Sequence, residues 1–498
     1  MRVLIDTNIF IYREDDRIIS ENLQKLLAIM QKFGVSVLIH PQSIEDLRED
    51  TNIQRREIML SKVGAYPLLE KPPQPNSDAT FSILIGYAND HNTQIDNTIL
   101  YSLYRDAVDF LITEDRDIHK KSRKLDIEDR VFLIIDALRF MEGYFTKDSF
   151  IAPPALAQVP VHNLDINDPI FDSLKGSYKE FDEWFKKISR EGRNSWVYYR
   201  ENGQIGALLI YKIEEEPIVS TEQMQKKRRI KISSFKVTYV GYKIGELFIK
   251  IVCDIAVNNG IDEIYFTIFP SINNRLIDLT AEYGFKKKGI NPRGEEIYVK
   301  QIIPDSITAV ENLSPLEIDV RYYPSFYDGA KVKKFIVPIR PKYLNRLFTD
   351  IPERQLHQIE SFGFLIEGNT IRKAYICHSN IKKLKPGDIL LFYVSKQHQI
   401  TTLGIVESVD YGLQNVSDIL RKVGKRTVYS MEDLEGISLK PTAVIMFRHH
   451  FHLSPIILEK LKSHHILKRA PQSIAEISDE SYRELLRMDG IDERFIIH

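Results

Sequence analysis

The chain opens Met1-Arg-Val-Leu-Ile-Asp6-Thr-Asn8-Ile-Phe-Ile-Tyr12. Val3, Leu4 and Ile5 form a short apolar run of the kind that suits a strand buried on both faces of a parallel sheet. Asp6 falls where that strand should end, and ligands of open α/β sheets gather at the carboxyl ends of strands. Working outward, a second strand is expected at residues 35–39. Pro41-Gln-Ser43-Ile-Glu45 follows, with Ser43 placed as an N-cap and Glu45 in the first helical turn. Asp96-Asn-Thr-Ile-Leu-Tyr-Ser-Leu-Tyr-Arg reads as a helix with Asp96 at its start. Val108-Asp-Phe-Leu-Ile-Thr113-Glu-Asp115-Arg-Asp117 reads as a strand running into an acidic turn, and residues 131–135 as a closing strand.

Four separate elements thus each deliver an acid: Asp6, Glu45, Asp96 and Asp115, with Asp117 close by. Carboxylates that converge repel one another unless a cation sits between them. Oxygen ligands alone point to Mg²⁺ or Mn²⁺. The chemistry such a cluster serves is attack of a metal-activated water on a phosphodiester. Any one of these acids alone reads equally as a cap or a solvated turn.

The stretch resembles the PIN-domain nucleases. Leu4-Ile-Asp6-Thr-Asn8, Glu45, Asp96 and Leu111-Ile-Thr113-Glu-Asp115-Arg-Asp117 carry the resemblance, which covers nearly all of residues 1–145. It implies an α/β/α fold around a parallel sheet and a metal-dependent ribonuclease. Asp6, Glu45, Asp96 and Asp115 would be the metal ligands and Asp117 auxiliary, with Asn8 and Thr113 supporting them.

At 498 residues the chain should hold about three domains. Its 43% hydrophobic and 28% charged residues are ordinary for a soluble globular protein. No apolar run approaches the roughly 20 residues that span a membrane. Because the chain starts directly with a core strand, no signal peptide is expected. Cys253 and Cys377 lie far apart and make no metal pattern, so a reducing cytoplasm is the expected compartment. The net charge of −1 offers no bulk attraction to nucleic acid. Residues 1–145 carry 18 Lys and Arg against 24 Asp and Glu, so the remainder is the basic part. An acidic catalytic module repels phosphates, and the basic remainder is expected to hold any nucleic acid.

Ile151-Ala-Pro-Pro-Ala-Leu-Ala-Gln-Val-Pro-Val marks a boundary. Beyond it, residues 177–189 read as a helix, and residues 196–199 and 205–213 as a hairpin around Glu201-Asn-Gly203-Gln. Residues 230–237 read as an alternating strand. Thr238-Tyr-Val240-Gly241-Tyr-Lys243-Ile-Gly245-Glu-Leu then leads into a long helix. A strand at 263–269 and a helix at 273–282, ending Tyr283-Gly-Phe285, complete the region. A strand, a glycine turn and a helix form an anion site. This region resembles the GNAT N-acetyltransferases, whose turn holds the pyrophosphate of acetyl-CoA. The resemblance implies Val237, Gly241, Lys243, Gly245 and Asn273 as cofactor contacts. Of the usual Arg/Gln-x-x-Gly-x-Gly/Ala, aligned here on Val240, Lys243 and Gly245, only the last position survives. Thr280 stands where a general-acid Tyr is often found and cannot replace it. A slow transferase and a domain kept for binding both fit. Met224-Gln-Lys226-Lys-Arg-Arg229-Ile-Lys231 is the densest basic run, readable as a solvated loop or as a phosphate contact.

A second boundary falls at residues 305–319. Short strands at 335–339, 375–377, 389–394 and 402–409, set off by Gly and Pro turns, suggest a small barrel. Lys385-Pro-Gly-Asp-Ile-Leu-Leu-Phe-Tyr393 and Thr402-Leu-Gly-Ile-Val-Glu resemble the PUA-like superfamily, which includes the ASCH and EVE domains. That resemblance implies binding of RNA or modified bases, with Arg340, Lys342, Tyr343, Tyr393, Ser395 and Lys396 offering charge and stacking surface.

The expected whole is an α/β multidomain chain. It comprises a PIN-like parallel sheet at 1–145, a GNAT-like α/β fold at 163–302 and a PUA-like small β-barrel with helices at 325–498. Two functions of different class remain. One is a Mg²⁺- or Mn²⁺-dependent ribonuclease whose rear domains position RNA. The other is an acetyl-CoA-dependent N-acetyltransferase acting on tRNA or a protein partner. A toxin-like or defence-related role suits either by analogy alone. The expected partners are RNA, a protein inhibitor and a second copy of the chain, with no membrane.

Overall fold

The structure, a computed structural model, describes all residues except 15–19, 65, 89, 146–155, 201, 239–242, 272–273, 349–369, 380 and 490. The chain forms two compact units. The first joins residues 1–150 to residues 412–444, and the second joins residues 151–411 to residues 445–498. The run 412–444 therefore leaves the segment expected at 325–498 and belongs to the first unit.

The first unit holds an all-parallel sheet of β1 (Arg2–Ile5), β2 (Ser36–Ile39), β3 (Phe110–Ile112) and β4 (Val131–Phe132), in the order β2-β1-β3-β4. Val3, Leu4 and Ile5 are buried, as a strand covered on both faces requires. The connections run to opposite sides of β1, so the topological switch point lies between β1 and β3. Their carboxyl ends carry Asp6 and Thr113–Asp115.

Two expected bounds shift. The helix that carries Asp96 runs His91–Tyr104, because Asp90 caps it by accepting from Thr93 N at 2.7 Å. Asp96 therefore sits in the second turn. The closing strand stops at Phe132, where helix Ile134–Phe145 begins with Ile134 N donating to Glu114 Oε1 at 3.0 Å.

Residues 412–444 supply helices Val416–Val423 and Met431–Ser438. Arg421 pairs with Asp109 and Arg426 with Asp129, each at 2.9 Å. Between the two arginines Gly424 takes φ +48°, and a Cβ there would lie 2.1 Å from the Asp129 carbonyl oxygen. Only glycine fits that approach.

The second unit contains a seven-stranded sheet. Its strands are β5 (Leu156–Pro160), β6 (Asn194–Tyr199), β7 (Ile205–Glu214), β8 (Arg229–Val237), β9 (Glu263–Ile268), β10 (Lys286–Ile290) and β11 (Glu296–Gln301). The order is β10-β11-β9-β8-β7-β6-β5, antiparallel throughout except for β8 beside β9.

The same unit holds β12 (Phe326–Tyr327), β13 (Lys334–Ile339), β14 (Arg372–Cys377), β15 (Ile389–Val394), β18 (Ala475–Ile477) and β19 (Ile496–Ile497), with all but the ends of β16 (Gln399–Leu413) and β17 (Thr442–Ile457) that run into residues 412–444. Six of these form a sheet in the order β14-β17-β16-β15-β13-β18, and β12 pairs with β19. This is the region expected as a small barrel, and its edge strands β14 and β18 do not pair with each other among the described residues. Glu246 Oε1 accepts from Arg372 N at 2.9 Å, tying the two sheets' segments together. No helix among the described residues is long and apolar enough to cross a membrane.

Gly424→Ala should destabilise the chain by on the order of 2 kcal/mol, through strain and overpacking together. Gly436→Ala, in helix Met431–Ser438 with nothing near its Cβ position, should be neutral or mildly stabilising. Thermal unfolding of the two variants side by side checks this; equal melting temperatures would contradict it.

Candidate functional site

Asp6 is buried and held in place at the end of β1. Asn8 Nδ2 and Thr113 Oγ1 donate to its Oδ2 at 2.8 and 2.6 Å, and Thr7 N donates to its Oδ1 at 2.7 Å. Burial pushes its pKa up to about 6, against those hydrogen bonds, and the charges of Asp115 and Asp46 push the same way. Asp96 is pushed up to about 7, by burial first and then by Asp6, Asp115 and Asp46, with Lys121 opposing. Burial also raises Asp46. Asp115 caps helix Arg116–Lys124, its Oδ1 accepting from Asp117 N and Ile118 N at 2.7 and 2.9 Å. Asp6 and Asp96 are therefore held up by burial first and then by their neighbours' charges, those of Asp46 and Asp115 on both and that of Asp6 on Asp96.

Three expectations change here. Glu45 stands outside the cluster, its side chain 46% exposed and paired with Arg48 at 2.7 Å. Buried Ser43 and Leu47 set the inner face of helix Pro41–Arg48. Asp46, three residues after Ser43, shares that face, whereas Glu45, two residues after it, points away. Asp117 is exposed and contributes its backbone N–H to the cap rather than its carboxylate to the cluster. Finally, among the described residues no three acids, histidines or cysteines are gathered closely enough to hold a metal ion. As the side chains stand, Mg²⁺ or Mn²⁺ has no preformed site.

A different opening lies in the second unit. β8 pairs with β7 along its whole length, with a register slip between Ile210 and Tyr211 that leaves Ser233 bulged between Ile232 and Ser234. Its parallel ladder with β9 covers only Ile230–Ile232 against Ile264–Phe266. From Ser233 to Val237 the edge of β8 on that side has no strand partner among the described residues, although β9 continues to Ile268. A bulge adds local twist, and here it coincides with the parting of the two strands.

Helix Ile244–Asn258 starts just past β8, and the side chain of its N-cap residue makes no capping hydrogen bond. Its N-cap, Lys243, takes a left-handed φ of +49°. Gly245 serves packing, because a Cβ there would lie 2.4 Å from Leu279 Cδ2 on helix Arg275–Ala281. Val237 is half-buried at the end of β8. Val240, Gly241 and Asn273 lie outside the described residues. Thr280 is buried and donates to Leu276 O at 2.8 Å, a helix-packing role.

A cavity of about 420 Å³ abuts the bulge and is lined at that end by Lys231, Ile232, Ser233 and Thr267. Glu295, from the β10–β11 turn, is buried in its wall. Its carboxylate accepts from the Tyr178 hydroxyl, from Thr267 Oγ1 at 3.2 Å and from Asn291 Nδ2 at 2.7 Å. Burial, then Glu295, holds the Tyr178 hydroxyl above its ordinary range. Most of the basic run before β8 is spent internally, since Lys227 and Arg229 both pair with Glu263, at 2.8 and 2.6 Å. Sequence reading missed Asp46, the Ser233 bulge and this cavity.

Of the residues expected to meet RNA, Tyr393 is fully buried and bonds His398 Nδ1 at 3.0 Å, so it cannot stack on a base. β13 and β15 run parallel, and Ser395 N donates to Ile339 O at 2.9 Å. This brings Arg340 beside Ser395 and Lys396 at one sheet end. Arg340, Lys342 and Lys396 are exposed, and Lys342 Nζ lies 5.4 Å from the Tyr343 ring centroid.

No family model matches the chain, and no curated protein matches it. Several solved structures are similar over about a third of it. An ASCH protein from Zymomonas mobilis matches 31% of this chain and 95% of its own, at 12% identity and a TM-score of 0.24. The PaiA N-acetyltransferase from Thermoplasma acidophilum, solved with coenzyme A, matches 30% and 99%, at 13% identity and 0.22. A GNAT-family acetyltransferase from Listeria monocytogenes matches 29% and 94%, at 18% identity and 0.22. Identities and scores this low carry no argument about activity. They lend nothing to the PIN resemblance of residues 1–145.

The acid cluster has a stability signature. Asp6 and Asp96 keep protons that the unfolded chain has already lost, so their cost is absent below about pH 4 and grows as pH rises toward 7. Asp96→Asn should therefore stabilise the chain at pH 8 by about 1 kcal/mol or more, one pKa unit being worth about 1.4 kcal/mol. That gain should shrink toward zero at pH 4. Thermal unfolding at the two pH values reads it; an equal gain at both would contradict an electrostatic origin.

Proposed function

We propose that the second unit transfers an acyl group from a coenzyme A thioester to an amine. The parting of β8 from β9 at Ser233 carries this reading. It leaves a strand edge, residues 233–237, unpaired on one side among the described residues, close in sequence to a helix start whose N-cap side chain makes no capping bond. An extended, amide-rich ligand can pair with such an edge as an added strand does. A pyrophosphate suits the helix start, and Lys243 adds a positive charge there. Acetyl-CoA offers both features and fits these residues.

When bound, acetyl-CoA supplies an activated acyl carbon to which the acceptor nitrogen bonds as the carbon–sulfur bond breaks, the proton lost from nitrogen ending on sulfur. The chain's own part is to present backbone N–H groups at the bulge and to hold the acceptor beside them. Glu295 takes up the amine's proton at its carboxylate and gives it up again as the thiol leaves, held for that task by Tyr178, Thr267 and Asn291. The Tyr178 hydroxyl stays protonated and is the nearby donor to it, since Thr280 is tied to Leu276 O. Turnover is slow on this account, because the Tyr178 hydroxyl is already committed to Glu295 and the Thr280 hydroxyl to Leu276 O. Calorimetric titration with acetyl-CoA should give saturable heat, at least tenfold weaker in Lys243→Glu, with slow release of free thiol when an amine is added. Silence at millimolar acetyl-CoA would remove the reading.

The first unit has a reading of its own, favoured by the burial of Asp6 and Asp96 and the charges of Asp46 and Asp115 that act on both. We propose that it cleaves RNA with Mg²⁺ or Mn²⁺ as cofactor. A divalent cation would relieve the repulsion, but the ligands must move to gather around one, so no step is drawn through it. RNA contacts from the second unit are proposed at Arg340 and Lys396. Asp6→Asn and Asp96→Asn should each abolish Mn²⁺-stimulated RNA cleavage while far-UV circular dichroism stays unchanged. Cleavage that persists in both variants, or in excess EDTA, would end this reading.

A further inference from the structure

The cavity beside the bulge has two chemically different walls. Tyr178, Phe181 and Trp184 form an aromatic side. Five cations line the rest, against two carboxylates, Glu180 and Glu295. Three of the five are already engaged: Lys187 and Arg193 share Glu191 at 4.0 and 2.5 Å, and Lys212 pairs with Glu214. Lys231 and Arg293 have no carboxylate within ion-pair distance among the described residues. Lys231 Nζ instead lies 5.6 Å from the Tyr265 ring centroid. Glu214, Glu295 and Glu216 offset part of the Lys231 charge, while Lys212 opposes it, and none of the three carboxylates forms an ion pair with it. The Lys231 charge is also disfavoured by its own burial, and an arriving anion would relieve that cost. At about 420 Å³ the cavity is of a size that encloses a small molecule, such pockets running from roughly 300 to 1,000 Å³.

We propose that this cavity binds the acyl acceptor, and that the acceptor is a small amine with an aromatic or apolar body and an anionic group met by Lys231 and Arg293. The role of acceptor rests on the acyl-transfer reading; the binding chemistry does not. The body lies against Phe181 and Trp184. The anion, a carboxylate or a phosphate, sits between the two cations. The amine is left toward Glu295 and the bulge at Ser233, where the two strands part.

Trp184 and Trp196 are the chain's two tryptophans, so Trp196→Phe leaves Trp184 as the reporter. In that full-length background, phenylalanine tests the carboxylate, phosphotyramine the phosphate and phenethylamine the same body without an anion. At least one anionic amine should quench or shift Trp184 emission saturably, at least tenfold more tightly than phenethylamine. Lys231→Met and Arg293→Met should each weaken that binding about tenfold and leave phenethylamine unaffected. Arg293 lies on an exposed turn, so its variant keeps the test valid if Lys231→Met fails to fold. Equal binding of all three probes, or no saturable response to any, overturns the proposal. Anion-selective binding without acetyl-CoA binding keeps the site and removes the transfer reading. Acetyl-CoA binding with no response from Trp184 removes the site alone.

Discussion

A strand edge must satisfy its N–H and C=O groups, and among the described residues β8 leaves that obligation open on its β9 side over five residues. The arrangement around it follows from this one constraint. Ile230–Ile232 lock β8 to β9, the bulge at Ser233 interrupts the register with β7, and the two parallel strands part. Gly245 lets helix Ile244–Asn258 lie close against helix Arg275–Ala281, which fixes where its N-terminus falls. The cavity then meets the opening from the side of the aromatic helix Phe181–Arg190 and the β10–β11 turn. An open edge inside a well-packed sheet is costly unless something pairs with it, so the opening reads as a binding feature.

The first unit is organised by repulsion instead. Its parallel sheet brings acids to the switch point, and hydrogen bonds from Asn8, Thr113 and Thr7 hold Asp6 there against burial and its neighbours' charges. Lys121 is the cation that offsets Asp96, and it is itself anchored to Asn97 Oδ1 at 2.6 Å. On another part of the unit the inserted helices use arginine for the opposite purpose, neutralising Asp109 and Asp129.

Much of this was legible in the sequence, and the failures have physical causes. The run Val3–Ile5 followed by Asp6 announced the buried parallel strand and its acidic end. Glu45 falls in the first helical turn when the helix is counted from a Ser43 cap, whereas the cap is His40 with Pro41 as the first helical residue. Asp96 was placed at a helix start because the Asp90 cap went unread. The bulge does leave a trace: apolar residues fall at Ile230 and Ile232, then at Phe235 and Val237, so the alternation slips by one at Ser233-Ser234. Read as one unbroken strand, that slip is lost. The membership of residues 412–444 in the first unit had no local signal, since the pairs Arg421–Asp109 and Arg426–Asp129 join residues about 300 apart.

Hydrogen exchange along β8 with and without acetyl-CoA tests the central claim most directly. If the open edge is the cofactor's strand partner, amides in peptides covering Ser233–Val237 should exchange more slowly at saturating acetyl-CoA, while those of β5, at the far edge of the sheet, should not change. Unchanged exchange over 233–237 in the presence of bound acetyl-CoA would contradict the account.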